Sequence, residues 1–92
     1  MIILGRQVID RFKRKHARSR PSLDIWLQKC EAADWKKFSD VRKTFNSVDI
    51  RGNEFIFDIA GNNFRLIARV RFEEGILTVV EILTHEEYSW RS

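Results

Sequence analysis

Between Glu54 and Tyr88 the chain reads EFIFDIAGNNFRLIARVRFEEGILTVVEILTHEEY, and the fold turns on this stretch. Phe55 to Ile59, Phe64 to Phe72 and Ile76 to Leu83 are three runs rich in β-branched and aromatic residues, with no proline in any of them. Gly61-Asn62-Asn63 and Glu73-Glu74-Gly75 separate them. Runs of this kind between turn residues predict antiparallel strands joined by hairpins.

Side chains alternate across a strand, so parity sorts these residues onto two faces. Phe64, Leu66, Ala68, Val70 and Phe72 share one side, joined by Phe55, Phe57 and Ile59. Arg65, Ile67, Arg69 and Arg71 lie opposite, with Glu54, Ile56 and Asp58. A two-residue turn at Gly61-Asn62 pairs Ile59 with Phe64 and sets Asp58 across from Arg65. In the third run Thr78, Val80 and Ile82 are expected in the core, with Val79, Glu81, Leu83 and His85 beside the arginines. A slip of one residue would bury the arginines, so the pattern specifies the register.

Outward from this sheet, Met1 to Leu4 is a short apolar segment ended by Gly5, expected as an edge strand. From Arg6 to His16, Val8, Ile9 and Phe12 recur at helical spacing. Ser19-Arg20-Pro21-Ser22 starts a second helix with proline in its first turn, and Leu23, Trp26, Leu27 and Cys30 form its buried stripe. Ser39-Asp40 is placed to cap a short third helix running to Phe45, with Val41 and Phe45 facing inward. Asn46 to Asn53 reads as a polar connection. The order predicts an α+β fold: an N-terminal strand and two to three helices packed on one face of a small, mainly antiparallel sheet.

The 92 residues suit one domain, 1–92. A net charge of +4 favours anionic partners: nucleic acid, an acidic protein or a membrane surface. Much of the excess lies in the first twenty residues, where Arg6, Arg11, Lys13, Arg14, Lys15, Arg18 and Arg20 face a single acid, Asp10. A charge run alone is ordinarily a solvated helix face. Here its sign matches the sheet arginines, which favours anion binding. Cys30, the one cysteine, has no partner for a disulfide, and its spacing suits a small core residue. Trp26 and Trp35 are likewise read as core. With no bilayer-length apolar stretch and no secretory core in Met1 to Leu4, the expectation is a soluble protein of the cytoplasm, without a membrane partner.

No Cys/His metal spacing, nucleophile elbow or phosphate-binding glycine loop occurs. What remains is a constellation that calls for no metal or cofactor. His85 is the one side chain on the charged face whose residue type suits proton transfer near neutrality. Arg65, backed by Arg69 and Arg71, suits phosphate binding and charge on a phosphorane. Tyr88 suits stacking on a base or orienting a hydroxyl. Together these suffice to cleave RNA by attack of a ribose 2′-hydroxyl on its own phosphate. Glu81 either orients His85, serves as base or neutralises Arg69, and His16 reads as electrostatic decoration. The plain alternatives are a surface ion pair between Asp58 and Arg65, and a solvated His85 after a strand.

The run Phe57 to Ile67 followed by Thr84-His85-Glu86-Glu87-Tyr88 resembles the HigB-type toxins of bacterial type II toxin–antitoxin systems, within the RelE-like superfamily. Leu23, Trp26, Trp35 and Phe38 match the helical half, so the resemblance covers almost the whole chain. It implies a RelE-like fold and an mRNA interferase that cuts messages during translation on the ribosome. It also implies a cognate HigA-type antitoxin with a helix-turn-helix domain, through which alone operator DNA would be reached. By position, Arg65 matches the arginine that contacts the scissile phosphate, His85 the histidine at the end of the last strand, and Tyr88 the nearby aromatic. Arg11, Arg14, Lys15, Arg18 and Arg20 would suit rRNA contact. Glu54 and Asp58 stand where some relatives carry paired lysines, so a lysine-based mechanism does not transfer, and Glu81 and His85 both qualify as general base. Little room for a helix is expected between Thr84 and Ser92. A non-catalytic module that arrests translation by occupying the ribosome, or a sheet face that receives an acidic protein segment, are the competing readings.

Overall fold

The computed structural model describes residues 1–91; Ser92, the end of the expected 1–92 domain, lies outside the described residues. In chain order the elements are β1 (Ile2–Leu4), α1 (Arg6–Lys15), a 3-10 turn (Ala17–Ser19), α2 (Arg20–Ala32), α3 (Phe38–Thr44), β2 (Asp49–Arg51), β3 (Glu54–Ile59), β4 (Phe64–Arg71), β5 (Ile76–Thr84) and α4 (His85–Arg91). The five strands form one sheet in the order β1-β5-β4-β3-β2, antiparallel except for β1 against β5.

One face of this sheet carries the core. Phe55, Phe57, Ile59, Phe64, Leu66 and Ala68 bury against Ile9 and Phe12 of α1, Leu23, Trp26 and Cys30 of α2, Trp35, and Val41 of α3. Cys30 is fully buried, and burial pushes its thiol far up from its ordinary pKa, so it is a packing residue without nucleophilic character. Gly5 lets β1 turn directly into α1. Its φ is +82°, and a Cβ there would stand 2.5 Å from the Val79 carbonyl oxygen.

The expected hairpin register is present: Ile59 pairs with Phe64 and Asp58 with Arg65. Three expectations need correction. Leu77 and Val79, not Thr78 and Val80, face the core of β5. Ile67 pairs with Glu81 but Ala68 with Val79, so a bulge leaves Val80 unpaired and inverts the parity upstream of it. Second, the polar connection 46–53 contains β2, whose three residues are all exposed and so give no alternation to read. Third, α4 fits into the last residues after Thr84. A smaller shift is at α3, which begins at Phe38; Asp40 lies inside its first turn and accepts the Lys36 N–H at 2.9 Å.

On the opposite face, β3 and β4 make a three-rung ladder. Glu54 faces Arg69, Ile56 pairs with Ile67 and Asp58 pairs with Arg65. The central isoleucines are buried although they lie outside the main core. Ion pairs bracket them on both sides.

Candidate functional site

The site forms where β4 begins and β5 ends. Asn63 donates from its backbone N–H to the Ala60 carbonyl at 3.3 Å, closing a tight turn around Gly61 and Asn62. This folds Asn62 back over the first residues of β4. At the neighbouring strand end, Thr84 and Glu87 cap α4 reciprocally. The Glu87 N–H donates to Thr84 Oγ1 at 3.1 Å, and the Thr84 N–H donates to Glu87 Oε1 at 2.8 Å. The His85 N–H donates to the Asn63 carbonyl at 2.9 Å, which ties the start of α4 to the hairpin tip.

Arg65 lies at the centre of these elements, its side chain only 12% exposed. Its Nε is 3.1 Å from Asp58 Oδ1. One terminal nitrogen donates to the carbonyls of Asn62 at 3.2 Å and Phe64 at 3.1 Å. The other donates to Asn62 Oδ1 and faces His85 Nδ1 at 3.3 Å. The Tyr88 ring centroid is 5.8 Å from the guanidinium carbon, within cation–π range. A guanidinium has five N–H donors and no acceptor, and here five acceptors face it. Four of these contacts engage the two terminal nitrogens, and the fifth is the ion pair of Nε with Asp58.

That arrangement has a chemical result for His85. Arg65 can only donate, so Nδ1 of His85 accepts and the neutral ring carries its proton on Nε2. His85 is exposed, and Nε2 is the nitrogen left for a ligand. Tyr88, three residues on, shares its helix face and comes over the same arginine.

The remaining expected residues are distributed around this cluster. Glu81 pairs with Ile67 on β5, four residues before His85 and roughly 13 Å along the strand. Arg69 and Arg71 lie toward the far end of β4, where Arg69 is 4.0 Å from Glu54 and Arg71 3.0 Å from Glu74. Arg11, Arg14, Lys15, Arg18 and Arg20 are all exposed, along α1, the turn after it and the first residue of α2.

The end of this basic segment meets α4. Glu87 has its carboxyl pKa lowered, first by the Thr84 backbone N–H, then by the Thr84 hydroxyl, with His16 and Lys15 adding favourable charge. His16 is thus more than decoration: its ring stacks on Phe12 at 4.4 Å and lies 5.6 Å from Phe64. Asn62 was legible only as a turn residue. Its two oxygens on Arg65 follow from the tightness of the turn, which brings a residue three positions before Arg65 back against it.

Among the described residues no group of three or more His, Cys, Asp or Glu side chains is arranged to hold a metal ion. No helix among them is long and apolar enough to cross a membrane.

A family model described as HigB toxin, the RelE-like toxic component of a toxin–antitoxin system, matches residues 19–90. The chain is also similar to the mRNA interferase toxin HigB of Escherichia coli and to the mRNA interferase HigB of Shigella flexneri. In both cases it is 30% identical over 59 residues, which are 61% of this chain and 57% of the relative. The match therefore spans little more than half the length of these relatives.

Proposed function

Because the chain belongs to the HigB family of RelE-like toxic components of toxin–antitoxin systems, we propose that it is an mRNA interferase, an endoribonuclease that cuts translated messages on the ribosome. The observation that carries this reading is the convergence of Arg65, His85 and Tyr88 at the start of α4. These are three groups of different chemistry, held by two strand ends and one helix cap.

In the proposed reaction the ribose 2′-oxygen attacks the adjacent phosphorus and the bond to the 5′-oxygen breaks. The 2′-hydroxyl gives up its proton, the departing oxygen gains one, and the products are a 2′,3′-cyclic phosphate and a free 5′-hydroxyl. No metal enters these steps. His85 moves the proton at Nε2, the nitrogen left for a ligand. Arg65 supplies positive charge beside the phosphate and holds His85. Tyr88 stacks on a neighbouring base. Of the two groups that qualify as general base, His85 stands in the cluster, while Glu81 lies farther back along β5. The cations of α1, with Arg69 and Arg71, give salt-sensitive affinity for rRNA and the message backbone. The reading further takes residues 1–92 as a single toxin domain working in the cytoplasm, neutralised by an antitoxin that carries the DNA-binding domain.

The test is to induce wild type and His85→Ala in growing bacteria and map new mRNA 5′ ends across translated regions. Cuts that require His85 and vanish when translation initiation is blocked are expected. One observation favours a second reading: with both terminal nitrogens of Arg65 engaged internally and its Nε ion-paired with Asp58, the cluster also suits a rigid docking surface that arrests translation by occupancy. Growth arrest without cuts, equal in both proteins, would select it.

A further inference from the structure

We infer that Asn62 is a built-in stand-in for a substrate phosphate: its two oxygens hold the terminal nitrogens of Arg65 where two phosphoryl oxygens sit when RNA binds. The inference rests on the nuclease reading only for the identity of the phosphate as part of an RNA backbone.

The backbone carbonyl of Asn62 accepts from one terminal nitrogen of Arg65 and its side-chain Oδ1 accepts from the other. One residue thereby presents two oxygens to the guanidinium fork, the pairing that phosphates and carboxylates make with arginine. Each terminal nitrogen of the arginine already has two partners, its Nε is ion-paired with Asp58, and the side chain is only 12% exposed. An arriving phosphate must therefore displace an acceptor already in place.

Asn62 is the acceptor best suited to leave. Asp58 is charged and held in register across β3 and β4. The Phe64 carbonyl belongs to the strand itself, and His85 is tied through its own N–H to Asn63. Asn62 is neutral and exposed at the hairpin tip, beside Gly61 at φ +66°. Rotation of its side chain releases Oδ1, and a small tilt of the turn releases the carbonyl. A phosphodiester oxygen is anionic, and charge-assisted hydrogen bonds are roughly twice as strong as neutral ones, so the exchange runs toward the phosphate. Asp58 and His85 remain on the arginine throughout. Asn62 is thus a positioning residue: it aims Arg65, and through Arg65 the Nδ1 of His85, before substrate arrives.

The experiment uses a 2′-O-methyl RNA hexanucleotide, which binds without being cut, at fixed ionic strength. Binding is followed through the Arg65 Nε and His85 ring nitrogen NMR signals of the full chain. Asn62→Ala removes one competing oxygen and is expected to bind the probe about fivefold more tightly. Asn62→Asp makes the stand-in anionic and is expected to bind it several-fold more weakly. Both effects should disappear in an Arg65→Ala background. Equal affinities in wild type and both variants, or weaker binding by Asn62→Ala, would overturn the inference. Asn62→Asp keeps the same shape at the turn, so it decides the matter if Asn62→Ala folds poorly. Because the probe is uncleavable, this result stands apart from the mapping of mRNA ends: the exchange can fail while cuts are found, and the reverse.

Discussion

The open face of β4 carries three arginines on one line, and its two ends have used them differently. At the start of the strand Arg65 is 12% exposed, with acceptors from the strand, the hairpin, β3 and α4 closing around it. Toward the other end Arg69 and Arg71 are 56% and 70% exposed and each leans on one carboxylate. The residue type, the strand and the face are the same. What differs is that the first end meets a tight turn and a helix cap, whereas the second meets single carboxylates, Glu54 of β3 and Glu74 in the loop 72–75. Positive charge on a sheet becomes a site when neighbouring elements fix its direction.

The sharpest way to break this comparison is to remove the arginines one at a time. Arg65→Ala is expected to lower cleavage of translated mRNA by about 10²- to 10⁴-fold, since it removes both the local charge and the group that orients His85. Arg69→Ala should change it by no more than about fivefold, because exposed pairs contribute only about 0.2 to 1 kcal/mol. Rates from primer extension on ribosome-bound message measure both, and equal losses would erase the distinction between the two ends.

A middle-sized effect should come from α1. Arg14→Glu with Arg18→Glu is expected to weaken ribosome association and flatten its dependence on salt, by about 0.7 or more in log–log slope for each phosphate that is no longer neutralised. Filter binding across a salt series reads this. Arg65→Ala should leave that slope nearly unchanged, separating affinity from chemistry.

The smallest effect concerns the cap. Glu87 has its pKa depressed in the folded protein, so its contribution to stability is fully present above its unfolded value of about 4.5 and is lost as pH falls through the lower folded value. Thr84→Ala should cost about 1 kcal/mol. Denaturant unfolding at pH 7 measures it, and acidification should shrink the difference between wild type and variant.

How far these features could be read beforehand depended on whether the chemistry alternated. In β3 and β4 alternation gives the faces and the turn at Gly61-Asn62 gives the register, so the pairing of Asp58 with Arg65 followed from the two together. In β5, Leu77-Thr78-Val79-Val80 offers no charged residue to mark a face, and a bulge there was invisible. Asp49-Ile50-Arg51 was too short and too polar to stand out as a strand. The capping signature Thr84-His85-Glu86-Glu87 was present in plain letters, but the few residues after it hid the helix. The meeting of Arg65, His85 and Tyr88 was legible because a strand register and a helical three-residue step define it. The approach of His16 to Glu87, and of Asn62 to Arg65, depended on tertiary turns that no periodicity records.

The closed ring of acceptors around Arg65 also has an entropic meaning. A free arginine side chain carries about 2 kcal/mol of rotamer freedom, which a flexible one surrenders when it clamps an anion. Here that freedom has already been given up during folding, at the expense of overall stability and not of ligand affinity. Exchanging Asn62 for a phosphate would then freeze almost nothing further in the arginine, so binding at this end of β4 should carry a smaller entropic penalty than binding to the exposed arginines at the other.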